Sequence, residues 1–293
     1  MKKKRAPFKI FVHCYFVLYA LVCIVPFILL IAISFTEESV IKDGGYSLIP
    51  KVFSTAAYQY VFRDPSSLIR AYGVTIISAF GGTLIGVVLM AALGYVLSRE
   101  IFLFKKGVNV YLLITMLFSG GIVPSYIINT RYLHLNNNIG VYLALNIFSA
   151  YTVFVFRTFF KGISVSLVEA AEIDGATELA IMGRVILPMS KAVLAAMSFT
   201  SIVSRWNDFE VPLYYITKSR LYNLQYLLQQ ILNEAEFLEQ LKKTMVGVDI
   251  IGDIPTETLK FAMCILAAGP VLFLFPFFQK YFSKGMIVGS VKG

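Results

Sequence analysis

The chain has 293 residues, of which 58% are hydrophobic and 15% charged, against about 25% charged in soluble globular domains. With a mean hydropathy of +0.74, this much apolar surface cannot be hidden in a soluble core of that size, so the class is a polytopic membrane protein. A formal net charge of +9 would suit nucleic acid in a soluble protein. Here the basic residues flank apolar runs, where they set topology and anchor headgroups, and no nucleic-acid-binding motif accompanies them.

The chain opens with Lys2, Lys3, Lys4, Arg5 and Lys9, followed by an apolar run from Ile10 to about Ile33. That run is longer than the 7–15 residues of a signal-peptide core, so it reads as an uncleaved first span with its N-terminus in the cytoplasm, kinked at Pro26. A charge-balanced loop from Phe35 to Ser67 carries turn signals at Gly44-Gly45 and Pro50. The second run, Leu68 to about Leu97, is rich in glycine and alanine, as closely packed membrane helices are. It ends at Ser98-Arg99, and Lys105-Lys106 marks a cytoplasmic turn.

The third run, Val108 to about Ile128, contains Ser119-Gly120-Gly121 and Pro124. Such a cluster either kinks a helix or breaks it where it lines a pathway, so Gly120 and Gly121 are candidate pathway residues. A fourth run covers Ile139 to Phe160, and Arg157 and Lys161 place its end inside.

Next comes the polar stretch Ser166–Pro188, which reads as two short helices hinged at a glycine. Ser166 with Glu169 suits a capping box, Ala170 and Ala171 leave a smooth patch, and Asp174-Gly175 stops the first helix. Thr177 suits the cap of a second helix running to Leu187, with Pro188 at the entry to the next apolar run. That fifth run, Lys191 to about Tyr215, holds Arg205-Trp206-Asn207-Asp208-Phe209-Glu210. Two readings stay open: Arg205 and Asp208 pair at i,i+3 as a structural ion pair, or Arg205, Trp206, Asn207 and Asp208 line a translocation path.

The longest polar loop, Lys218 to Glu257, is net acidic and carries apolar residues from Leu221 to Leu238 at helical spacing, an amphipathic helix. A sixth run, Leu259 to Phe278, precedes a basic tail. The expectation is an all-α polytopic fold of about six transmembrane helices with both termini cytoplasmic. It divides into 1–67 (first span and outer loop), 68–284 (core) and 285–293 (tail). Cys14, Cys23 and Cys264 all fall in apolar runs and read as small packing residues. No phosphate loop, zinc motif, CxxC or Ser/His/Asp set is present, so an enzyme is not expected and no cofactor is assigned to the chain itself.

Glu169-Ala170-Ala171, Asp174-Gly175-Ala176 and Ile186-Leu187-Pro188 together resemble the EAA motif of ABC importer permeases. Leu97-Ser98-Arg99, Trp206-Asn207-Asp208 and the ending Gln279–Gly285 are similar to its carbohydrate-uptake branch. Phe118–Tyr126 and Gly289–Gly293 look most like permeases for complex oligosaccharides of the aldouronate or alginate type. The resemblance implies a type I importer fold in the cytoplasmic membrane, with a coupling helix that docks on an ATPase subunit. Glu169, Ala170, Ala171, Asp174, Gly175, Ala176, Leu187 and Pro188 would carry the coupling. It further implies a second permease subunit as heterodimer partner, two ATPase subunits binding ATP and Mg, and an extracytoplasmic solute-binding protein. The substrate would be an oligosaccharide, acidic if the alginate likeness holds. A stand-alone secondary transporter or channel is the alternative.

Overall fold

In the computed structural model, which describes residues 5–244 and 254–289, the chain is helical and, among the described residues, forms no strand beyond one antiparallel bridge between Thr36 and Phe53. Lys2 to Lys4 and most of the terminal Gly289–Gly293 motif lie outside the described residues. The helices in order are α1 (Arg5–Ser34), α2 (Glu38–Gly44), α3 (Ala56–Val61), α4 (Pro65–Ser98), α5 (Lys105–Leu117), α6 (Ile122–Tyr132) and α7 (Gly140–Ala144). They continue with α8 (Ala150–Lys161), α9 (Val165–Ile173), α10 (Glu178–Met189), α11 (Lys191–Trp206), α12 (Glu210–Tyr215), α13 (Leu224–Thr244) and α14 (Thr256–Gly289).

Among the described residues, three stretches are continuous helices long and apolar enough to cross a bilayer: Phe8–Ser34, Pro65–Ser98 and Thr256–Tyr281. The other three expected spans are broken. The third run splits at Ser119-Gly120-Gly121 into α5 and α6, bent by 111°. Gly121 sits at φ +84°, a conformation glycine takes without steric cost. The fourth run splits into α7 and α8 around an irregular segment, 145–149. The fifth stops at Trp206 rather than running to Tyr215, and α11 meets α10 at an 82° bend. At the far end, helix α14 continues past the expected tail boundary at 285 to Gly289.

Packing groups the chain into two units, each discontinuous in sequence: Met1–Leu68 with Leu228–Pro270, and Ile69–Leu227 with Val271–Gly293. The expected division into 1–67, 68–284 and 285–293 followed chain order, whereas here Leu228–Pro270 groups with the N-terminal residues. In the first unit, α1 contains Pro26 and exposes apolar side chains along nearly its whole length, from Phe8 to Ile31, as a helix solvated by lipid does. Glu38 reaches across the chain to cap α14. Its two carboxylate oxygens accept from the Glu257 and Thr258 backbone N–H groups, each at 2.9 Å, and so satisfy orphan donors at the positive end of the helix dipole. Lys42 bridges Glu38 (3.4 Å) and Glu239 of α13 (3.3 Å). Burial acts to lower the Lys42 ammonium, but these two carboxylates outweigh it and hold it above its ordinary value.

Helix α13 is amphipathic as expected, with Leu224, Leu228 and Ala235 buried. All three cysteines are exposed rather than packed inside, since helices α1 and α14 bury little of their apolar surface. In the second unit the core is built where α4 meets α8, with Met90, Ala91, Tyr95 and Leu97 against Val153, Phe156 and Phe160. This core carries both candidate sites.

Candidate functional site

The first site is the polar hairpin α9–α10. Helix α9 begins at Val165 with Ser164 at the N-cap position, two residues earlier than the sequence suggested. Ser164 makes no capping bond and instead pairs its hydroxyl with that of Ser166 at 2.8 Å. The expected capping box therefore does not form, and Glu169 stands exposed inside the helix. The helix stops as expected. Ala176 N–H donates to the Ala171 carbonyl (2.9 Å) and Gly175 N–H to the Glu172 carbonyl (3.0 Å), with Gly175 at φ +76°. These two bonds and the left-handed glycine define a Schellman stop, with Asp174 as C-cap. Thr177 then caps α10, its hydroxyl accepting from Ala180 N–H at 3.4 Å. Leu187 and Pro188 occupy the last turn of α10, just before the bend into α11.

The hairpin is seated on the bundle core. Val168, Ile181 and Ile186 are buried in the same cluster as Tyr95 and Phe156, and Ala171, Ala176 and Leu187 pack against it. An ionic clamp reinforces the seat. Arg99, directly after α4, pairs with Glu172 of α9 and with Glu178 of α10 at 2.9 Å, and the Tyr95 hydroxyl donates to the Glu178 carboxylate. Burial acts to raise Glu178, but the Tyr95 hydroxyl and the Arg99 guanidinium hold it below its ordinary value. Arg99 is held above its own ordinary value because Glu178 and Glu172 outweigh the burial that would lower it. Ala170, Asp174 and Gly175 face outward, and two apolar residues flank the turn almost bare: Ile173 at 86% exposure and Leu179 at 80%.

The second site surrounds Arg205. Its side chain is 5% exposed, and its two terminal nitrogens donate to the carbonyls of Tyr142 and Asn146, each at 2.8 Å. These carbonyls lie where the fourth run breaks, in α7 and at Asn146 (φ +55°). Arg205 thus satisfies backbone that a broken membrane helix would leave unpaired. Space for it comes from Gly82, immediately after a π-helical turn, Ile77–Gly81, in α4. A Cβ at Gly82 would stand 2.3 Å from the Arg205 Nη1.

Asp208 is engaged locally: its Oδ1 accepts from the N–H groups of Glu210 (3.0 Å) and Val211 (3.1 Å). Of the two readings left open for the pair, a mutual ion pair gives way: the Arg205 terminal nitrogens and the Asp208 Oδ1 are directed to backbone groups, while the Arg205 Nε is buried without a partner. Trp206 is buried beside Tyr72. Asn207 donates to the Val203 carbonyl (2.9 Å) and accepts from Gln225 (3.0 Å). Arg205, Asn207 and Asp208 line a cavity of about 530 Å³ together with Phe148, Tyr151, Phe209 and Glu210, within the range of small-molecule pockets. Gly120 and Gly121 do not line this cavity; they are exposed at the α5–α6 break.

The clamp residues Tyr95, Glu172 and Glu178 were missed from sequence, since no spacing rule links residues some 75 positions apart. Asn146 had a signal that went unused, a lone amide within an apolar run. Glu210 was seen only as part of a polar cluster.

Apolar helices long enough to cross a bilayer, with further apolar runs broken into bent pairs, define a polytopic membrane protein. Residues 97–288 match the family of binding-protein-dependent transport system inner membrane components, and the chain belongs to that family. It is 31% identical over 293 residues to the polygalacturonan/rhamnogalacturonan transport system permease protein YtcP of Bacillus subtilis, covering 99% of this chain and 100% of that one. It is 34% identical over 276 residues to protein LplC of the same organism, covering 93% and 90%. Among solved structures, a bacterial ABC transporter involved in the import of the acidic polysaccharide alginate matches with a TM-score of 0.79 and 25% identity, over 96% of this chain and 99% of that chain. The fold is therefore that of a type I ABC importer permease.

Proposed function

We propose that the chain imports an oligosaccharide across the cytoplasmic membrane by alternating access, driven by ATPase subunits that dock on α9–α10. The carrying observation is the pair Ile173 and Leu179, bare apolar residues either side of the Gly175 turn on a hairpin that is otherwise packed and clamped to the core. Apolar side chains held that far out on a rigid polar element suit insertion into a partner's cleft. Glu169, Ala170 and Asp174 complete the docking face, and Gly175 with Ala176 sets its angle. Leu187 and Pro188 carry the motion into α11.

The assembly is this chain with a second permease subunit, two ATPase subunits holding ATP and Mg, and an extracytoplasmic solute-binding protein. The lysines and arginines after α4 and α8 support a cytoplasmic hairpin side, with both termini on that side. Helix α13 then lies outside and offers its polar face to the binding protein. The names of the pectin and alginate relatives support a carbohydrate cargo. The broken backbone at Gly120-Gly121 and the cavity lined by Arg205, Asn207 and Asp208 are the proposed path, while Trp206 is buried and does not line that cavity. The test is purification of the tagged chain from its own membranes. ATP-hydrolysing subunits should copurify and be lost when Ile173 and Leu179 are both changed to aspartate. Sugar flux from the single chain without ATP would contradict the reading.

A further inference from the structure

The Arg205 cavity raises the question of which charge it shows to its cargo. Three charged residues line it: Arg205, Asp208 and Glu210. Arg205 is 5% exposed, and each terminal nitrogen donates to a backbone carbonyl, that of Tyr142 or that of Asn146. Of the three, only Glu210 is exposed on the wall, with Asp208 half-buried beside it and Arg205 buried. Around them stand three exposed aromatic rings, Phe148, Tyr151 and Phe209, and the small polar residues Thr200, Ser204 and Asn207. Flat apolar faces pack on the C–H face of a pyranose ring, while carboxylates, hydroxyls and amides accept from its hydroxyl groups. A uronate ring at the same place would set its own carboxylate against Glu210 and Asp208 in a partly desolvated space, where like charges repel strongly.

Building on the reading of this chain as an oligosaccharide permease, we propose that the cavity is a subsite for a neutral sugar ring and that Glu210 selects against acidic ones. Arg205 is a positioning residue that holds the broken fourth span, and it does not read a sugar carboxylate. This chain thereby departs from what the pectin and alginate relatives would suggest for its cargo.

The test uses the complete complex in proteoliposomes, with its own binding protein and ATPases. ATP-dependent uptake is measured for a neutral oligosaccharide digest of arabinoxylan and for oligogalacturonides of matched length. Because the same binding protein feeds every variant, its preference cancels when variants are compared by their acidic-to-neutral uptake ratio. Glu210→Gln, isosteric and on an exposed wall, should raise that ratio about tenfold. Arg205→Lys should lower both uptakes by the same factor and leave the ratio unchanged. An unchanged or lowered ratio in Glu210→Gln overturns the inference, as does selective loss of oligogalacturonide uptake in Arg205→Lys. Uptake of neither mixture by the wild type would contradict the importer reading itself, and this inference with it.

Discussion

At the scale of single residues, Gly82 and Arg205 form one device. The glycine makes room, the guanidinium fills it, and two backbone carbonyls of a broken helix gain donors. Gly82→Ala should drive a methyl group into the guanidinium and cost about 1–3 kcal/mol by overpacking. The thermal midpoint of the detergent-solubilised complex should drop, while Gly73→Ala, which meets nothing within 4 Å, should leave it unchanged or raise it. Glu178 gives a pH signature. Its carboxyl is held below the ordinary value by Tyr95 and Arg99, against the opposing effect of burial. A depressed carboxylate stabilises the fold above its unfolded value, near 4.3, and that contribution is lost as pH falls through the folded value. Amide protection factors in α9–α10, corrected for the intrinsic exchange rate, should therefore fall as the pH drops below the unfolded value, and Glu178→Gln should remove part of that acid dependence.

At the scale of elements, the hairpin is a short lever whose stiffness comes from three sources: buried Val168, Ile181 and Ile186, the Schellman stop at Gly175, and the Arg99 clamp. The clamp is the part that can be removed without disturbing the core. Arg99→Gln leaves Glu172 and Glu178 close together without their cation, so proteolytic cleavage within α9–α10 should rise while the complex still assembles. In the first unit, Glu38 caps α14 from more than 200 residues away. Glu38→Ala should uncap that helix and release Lys42 to Glu239 alone, costing about 1–3 kcal/mol. Chemical denaturation of the purified chain measures that loss.

At the scale of the whole molecule, the sequence exposed what local chemistry controls. Apolar runs located the spans, and Asp174-Gly175 with Thr177 located the hairpin turn and its second cap. The cap of α9 was misplaced because Ser164 and Ser166, two positions apart, are the same cap-forming residue type. Breaks in the fourth and fifth runs were hidden because hydropathy reads side chains, whereas what permits a break is a backbone partner. For the fourth run that partner is Arg205, some 60 residues from the carbonyls it serves. The same blindness to distant pairs concealed the Arg99 clamp and left Arg205 open between ion pair and pathway.

The central claim is that the α9–α10 hairpin transmits ATPase movement to the sugar path. Gly175→Val places a β-branched side chain at φ +76°, where only glycine sits without strain, and should change the angle of the hairpin while leaving its packed residues in place. ATP hydrolysis and oligosaccharide uptake, measured together in proteoliposomes holding the complete complex, test this most directly. The account predicts that hydrolysis continues while uptake falls to the level of vesicles without ATP. Uptake that stays in proportion to hydrolysis would contradict it.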